Sequence, residues 1–218
     1  TSDGSFNSVA IGKGANSVSG NTVLGESALD ASVSGGDNTA IGKNALTALT
    51  SGANNTAIGQ GALQANTTAD SNTGVGEFAL ATNTTGASNT AIGKSALINN
   101  TTADNNTAVG LSALLSNTTG ANNVAVGAFS LDANTTGENI TALGYNALSA
   151  NTTAADNTAV GYFALALNTT GASNVAVGKR ALDANTTASN NTAIGKDALG
   201  ANTTGEENTA VGAFALDA

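Results

Sequence analysis

The chain repeats itself every 17 residues, and so short a period decides most of what it can fold into. The Gly that ends each Ala-Ile-Gly or Ala-Val-Gly triplet, or its local variant, recurs at Gly25, Gly42, Gly59, Gly76, Gly93, Gly110, Gly127, Gly144, Gly161, Gly178, Gly195 and Gly212. Only the first interval, from Gly12 to Gly25, is shorter, at 13 residues. Residues 1–25 therefore read as an atypical N-terminal cap or a short repeat of another type, and residues 26–218 as the regular array. Within one unit, Asn55-Thr56-Ala57-Ile58-Gly59 is followed by Ala62-Leu63 and then by Asn66-Thr67-Thr68-Ala69. Seventeen residues cannot hold two helices and their connections, and Gly, Asn and Thr are poor helix formers. The expected class is all-β, a β-solenoid in which each unit makes one coil. At the strand spacing of about 4.8 Å, twelve coils would give a rod of roughly 58 Å.

An apolar residue precedes each marker Gly, as at Ile58, Val75 and Ile92, and Thr or Val lies two residues earlier. This period-2 pattern of β-branched residues predicts a short strand. Read with the apolar residue inside, Ile58, Val75 and Ile92 are core, Thr56 shares their face, and Ala57 or Gly74 lies on the opposite one. Leu follows each Gly by four residues, from Leu29 to Leu216, so Leu63, Leu80 and Leu97 are the second core residue of their coils. One Ile or Val and one Leu per coil make a thin core. Small residues on the other strand face would admit another surface closely, which predicts several chains packed side by side in a parallel homotrimer.

Composition removes most chemistry from consideration. The 218 residues contain no Cys, His, Met, Pro or Trp, so thiolate, imidazole and zinc-thiolate sites are absent, and no enzyme activity is expected. Fifteen acids against six bases give a formal charge of −9, which repels a phosphate backbone, so no nucleic-acid partner is expected. No apolar run is long enough to span a membrane as a helix. The scattered acids, among them Asp70, Asp104, Asp132, Glu138 and Asp183, do not recur often enough to form a calcium ladder, and no cofactor or metal is expected.

Asn recurs at two fixed places: Asn55, Asn72, Asn89 and Asn106 before the Gly, and Asn66, Asn83, Asn100 and Asn117 after it. Stacked coils would set like on like and build amide ladders. At Ile140 the first file is interrupted, with Asn139 the candidate substitute. Asn66-Thr67-Thr68 and its copies also match the N-glycosylation pattern, yet any structural Asn followed by two Thr generates that match. Gly59, Gly76 and Gly93 read as turn residues needing positive φ. Phe78, Phe129, Tyr145, Tyr162, Phe163 and Phe214 fall one or two residues after a Gly, where they serve packing between chains or form a stripe for a host-surface or glycan receptor.

The segment Asn7-Ser8-Val9-Ala10-Ile11-Gly12-Lys13-Gly14-Ala15 resembles the head repeats of trimeric autotransporter adhesins of the YadA type. The later Asn-Thr-Ala-Val-Gly units look like longer variants found in bacterial surface and phage tail-fibre-like proteins. The resemblance implies a trimeric left-handed β-roll placed outside the cell, on a cell surface or on a virion fibre. The 17-residue unit is longer than the head repeat of that family.

These observations predict an extracellular structural fibre or adhesin segment, a rigid trimeric rod for attachment or filament formation, whose first partner is itself. Another copy placed after Ala218 would continue the Gly spacing by about one coil, so head-to-tail polymerisation is also expected. An ice-binding β-solenoid using aligned Thr files, such as Thr67-Thr68, is the alternative.

Overall fold

The computed structural model describes residues 4–6 and 9–217, and its secondary structure is all-β. Two compact units, Thr1–Asn106 and Thr107–Ala218, divide the chain. In the first, β1 (Gly4–Phe6) pairs antiparallel with β2 (Val9–Gly12), and β2 pairs antiparallel with β3 (Thr22–Gly25). From there the pairing is parallel through β4 (Thr39–Ile41), β5 (Thr56–Ile58), β6 (Thr73–Val75) and β7 (Thr90–Ile92). Each step sets a residue opposite the one 17 positions on, so Thr56 faces Thr73 and Ile58 faces Val75. This is a parallel β-solenoid.

The second unit is built the same way. Its strands are β8 (Thr107–Val109), β9 (Val124–Val126), β10 (Thr141–Leu143), β11 (Thr158–Val160), β12 (Val175–Val177), β13 (Thr192–Ile194) and β14 (Thr209–Val211). All pair in parallel with their sequence neighbours inside the unit.

From β4 on, each strand stops after three residues because the next residue turns the chain. Gly59 and Gly76 lie at φ 135° and 136°, a region closed to side chains, and Gly93 is at 138°. The Gly files also stack backbone on backbone. A β-carbon at Gly59 would sit 2.5 Å from the carbonyl oxygen of Gly76, so the file leaves no room for one.

Beyond the turn, Ala62 N–H donates to Gly59 O at 3.3 Å, and Leu63 then enters the left-handed region at φ 52°. Leu does so from Leu29 to Leu216, with φ between 48° and 55°. That conformation costs a Leu about 1 kcal/mol or more. Complete burial of Leu63, Leu80 and Leu97 offsets it, at roughly 2 kcal/mol for each side chain. Main-chain groups past the turn are paired within and between coils, for instance Leu63 N–H to Ala79 O at 2.9 Å and Asn66 N–H to Leu63 O at 3.1 Å.

The strand faces are the reverse of the expected ones. Ala57 is fully buried, whereas Ile58 is 38% and Ile92 41% exposed, and Val75 and Thr56 are half-buried. Ile58, Val75 and Ile92 therefore point out of the coil, and the interior strand position belongs to Ala or Gly. The cause lies across the coil. A β-carbon at Gly74 would already be 3.3 Å from Leu63 Cγ and 3.2 Å from Ala79 O. From β4 on, the inward-turned Leu fills the lumen and the strand position against it carries a methyl or less, whereas Val23 is buried at that register position in β3.

Candidate functional site

The outward strand face is an extended surface that recurs in the regular coils. It carries two files in strict register. One is Thr, replaced by Val at Val124 and Val175; the other is Ile, Val or Leu. In the first unit the apolar file includes Leu24, Ile41, Ile58, Val75 and Ile92, and in the second it includes Val109, Val126, Leu143, Val160, Val177, Ile194 and Val211. Parallel pairing holds these side chains in rows at the inter-strand spacing of about 4.8 Å. The result is a periodic, half-exposed apolar band along the strand face of each unit.

Two corners flank this face. At the corner following the strand, the residue after Gly is Glu26, Lys43, Gln60, Glu77 and Lys94 in the first unit. Glu26 and Lys43 form an ion pair at 3.1 Å, and Glu77 and Lys94 another at 2.8 Å. In the second unit the same file runs Leu111, Ala128, Tyr145, Tyr162, Lys179 and Lys196. Tyr145 and Tyr162 stack at 5.7 Å and 15°, Tyr162 meets Phe163 at 4.6 Å, and Phe129 meets Tyr145 edge-on at 6.2 Å. Lys179 sits 5.7 Å above the Tyr162 ring, and Lys196 4.5 Å above Phe214. Tyr145 and Tyr162 thus contact rings within the chain, and Tyr162 also Lys179, while remaining 45% and 50% exposed. At the opposite corner, before the strand, lie Asp70 and Asp104, whose carboxylates accept the Ala53 and Ala87 N–H groups at 2.7 Å.

The two Asn files lie inside the coil and differ from each other. In the first, the side-chain oxygen accepts the backbone N–H of the Asn in the next coil: Asn55 from Asn72 at 3.0 Å, Asn72 from Asn89 and Asn89 from Asn106 at 2.9 Å. The amide nitrogen reaches a carbonyl, as Asn72 does to Gly86 O and Asn89 to Ala103 O. In the second file the amides bond one another: Asn83 donates to Asn66 at 3.1 Å, Asn100 to Asn83 at 2.8 Å, and Asn134 to Asn117 at 3.0 Å. Ala69 O receives both Asn55 and Asn66, so the two ladders close on a shared carbonyl.

All of these Asn are fully buried. The Asn66 amide that a glycan would need is bonded and enclosed, so the Asn-Thr-Thr segments act as ladder elements of the folded coil. At Ile140 the first file is interrupted by a buried apolar side chain, whose backbone N–H donates to Asn123 Oδ1 at 2.9 Å, and it resumes at Asn157, whose Oδ1 accepts the Asn174 N–H. Asn139 does not replace it: that side chain is exposed and bonds Asp156 at 3.2 Å.

Replacing Asn89 by Leu keeps the volume but leaves Asn106 N–H and Ala103 O without this partner inside the coil. The expected loss is about 2 kcal/mol, read as a lower urea midpoint with unchanged m-value.

Burial raises the Asp132 pKa above the usual carboxylate value, and its Oδ1 has no partner among the described residues. A carboxyl whose pKa is higher folded than unfolded costs stability at neutral pH, and that cost disappears as pH falls through the folded pKa. Asp132→Asn is therefore expected to raise stability at pH 7 by under about 1 kcal/mol after solvent screening, seen as a slightly higher melting temperature, and to bring no such gain near pH 3. Paired melts at the two pH values check it.

Among the described residues no group of three His, Cys, Asp or Glu is placed to hold a metal ion, and no helix is long and apolar enough to cross a membrane. Comparison with protein-family models, curated proteins and solved structures found no match to this chain.

Proposed function

We propose that this chain is a structural fibre segment, an extracellular spacer or attachment rod, in which copies of the chain pack in a trimer on their outward strand faces. The observation that supports this reading is the in-register band of Ile, Val and Thr around Ile58 and Ile92, left 38% and 41% exposed although the coil interior holds little beyond Ala, Leu and Asn. Covering the exposed part of one Ile contributes on the order of 1 kcal/mol, and the band offers such a residue in each regular coil. Only a surface with the same coil period can fill the band evenly, and this chain carries one. The flanking corners are polar or charged in the first unit, as is the rim of an interface whose centre is apolar. On this reading the receptor or glycan partner, if the segment attaches to one, meets the surfaces left outside the assembly.

Sedimentation equilibrium of the purified chain tests the proposal. A mass of three chains at micromolar concentration is expected, and a monomer at tens of micromolar would sink it.

A second reading has one observation in its favour. Thr56, Thr73 and Thr90 share the outward face with the apolar file, so the strand itself offers an ordered hydroxyl and methyl surface, as ice binding would require. Thr67 serves that role poorly, because its hydroxyl donates to Thr84 O at 3.1 Å. Thermal hysteresis from a monomeric chain would favour this reading over the fibre.

A further inference from the structure

We infer that one exposed row of Ser and Thr hydroxyls, set nine residues after the marker Gly of each coil, is a row of acceptor sites for O-linked glycosylation by a neutral sugar. This goes beyond the assembly proposed above and does not depend on it.

The row begins with Ser34 and Ser51 and continues with Thr in each coil from Thr68 to Thr204. Every member is exposed. Other exposed positions of the coil change their chemistry freely. The residue directly after the Gly is Glu26, Lys43, Gln60, Leu111 or Tyr145, and the residue five before it is Asp37, Asn54, Ser71 or Glu207. Packing fixes the buried Ala, Leu and Asn of each coil, but packing does not fix an exposed side chain.

The exchanges each Thr row accepts show which part of the side chain is wanted. The strand row of Thr56 admits Val at Val124 and Val175, giving up the hydroxyl and keeping the branched shape that strands favour. The row of Thr68 admits Ser at Ser34 and Ser51, giving up the methyl and keeping the oxygen. Here the hydroxyl itself is retained.

The fold does not use these oxygens. Ser and Thr are common at bends because their hydroxyls bond nearby backbone. That role belongs to the adjacent row, in which Thr67 donates to Thr84 O at 3.1 Å and Thr84 to Thr101 O at 3.0 Å. Among the described residues, Ser34 is the one member of the exposed row whose hydroxyl is bonded within the chain, to Thr50 O at 3.2 Å. Nor is the hydroxyl kept to complete an Asn-x-Thr acceptor. Asn66, Asn83 and Asn100 are buried, and the hydroxyl persists at Ser34 and Ser51, where Ser32 and Leu49 stand in the Asn place.

A solvated hydroxyl that merely binds a partner trades a hydrogen bond to water for another and gains little. A covalent bond to the oxygen is the role in which the hydroxyl is indispensable and the methyl is not. The Thr oxygen bonds the anomeric carbon of a nucleotide-activated sugar, the bond from that carbon to the nucleoside diphosphate breaks, and the hydroxyl proton passes to a base of the transferase. The residue after each acceptor is Gly or Ala from Gly35 to Gly205, which leaves the oxygen uncovered on that side. Charge selects a neutral group. Asp70, Asp104, Glu138 and Glu206 each lie two residues beyond a Thr of the row, where no Lys or Arg occurs. Phosphates would set dianions about 4.8 Å apart along an already acidic row.

Mass spectrometry of the full chain purified from the cell that produces it tests the inference, with electron-transfer fragmentation to place each group. The intact mass should exceed that of the sequence by whole glycosyl residues, carried by the Thr68 row and absent from the Thr56 and Thr67 rows. Mild alkali, which eliminates sugars from Ser and Thr oxygens but not from Asn amides, should release them. Made in the same cell, Thr85→Val and Thr153→Val should each lose the sugar at the changed position alone, and Thr85→Ser should keep it, with circular dichroism showing the β signal unchanged in all three. A mass equal to that of the sequence, phosphoryl in place of glycosyl increments, or sugars on the Thr56 or Thr67 rows overturns the assignment. Sedimentation of the same variants should match the original chain, so this result and the test of assembly are read separately.

Discussion

Gly76→Ala is expected to open the solenoid around its own coil, at a cost on the order of 3 kcal/mol or more. Two effects combine at this position. The backbone is at φ 136°, where an L side chain is strained by about 1–3 kcal/mol. The new methyl would also lie 2.5 Å from Gly93 O and 2.6 Å from Gly93 C, both main-chain atoms that cannot move aside as a flexible side chain would. Either β6 and β7 separate or the turn after β6 changes shape, and both break the Gly93 N–H to Val75 O bond of 2.8 Å. Because coils in a solenoid are stabilised mainly by their neighbours, the damage should be local. Hydrogen exchange should show amides of residues 73–97 losing protection well before those of the second unit. Gln60→Ala, at an exposed position beside another marker Gly, serves as the control and should change protection little. Equal protection in Gly76→Ala and the unchanged chain would mean that the Gly file does not limit coil spacing.

Leu97→Ala and Ile92→Ala should fail in opposite ways. Leu97 has no exposed surface and fills the lumen, so truncation leaves a cavity and costs about 2–5 kcal/mol of folding stability. Cavity size depends on how far the Ala and Asn lining can close, and the inter-coil bonds on both sides hold that lining apart. Ile92 keeps 41% of its surface exposed, so its loss should cost the single chain under about 1 kcal/mol. The same change removes part of the band proposed to join chains. Ile92→Ala should therefore shift the association equilibrium, most clearly when Ile58→Ala is added. Urea unfolding measured at a concentration where the chain is monomeric separates the folding term, and sedimentation measures association. Finding Ile92 as costly as Leu97 in the monomer would contradict the placement of the two side chains.

Much of the architecture was legible in the residues because the repeat reports one geometry many times over. A constant step of 17 residues, with Thr, Ile and Val grouped before a Gly, leaves a β-coil as the economical solution. The fixed Asn positions point to ladders, since an amide repeated at one coil position must face its own copies. What the alternation could not reveal is direction. A period of two states that a strand has two different faces, and hydrophobicity assigned Ile58, Val75 and Ile92 to the inside. The invariably small residue at Ala57 and its equivalents, Gly74 included, was the contrary signal: a position held to a methyl or less across the regular coils is one where space is short.

The outward band of Ile, Val and Thr was present in the sequence as well, but it acquires meaning only when that strand face is known to point outward. With Ile58 inside, the same residues would be core and imply nothing about partners. Asn139 shows the same limit on a smaller scale. One residue of displacement from the ladder position carries it outside the coil, at φ 58°, where it bonds Asp156 instead.

The sequence by itself determined the period, the strand positions, the turning Gly, the buried Leu file and the two Asn files, because each depends on local conformation or on stacking like upon like. Tertiary structure alone decided the antiparallel pairing of β1 and β2, the left-handed conformation of the Leu four residues after each marker Gly, and which strand face looks outward. The last follows from the Leu conformation: turned inward at positive φ, Leu63 occupies the lumen up to the strand, and the larger apolar side chains must take the other face.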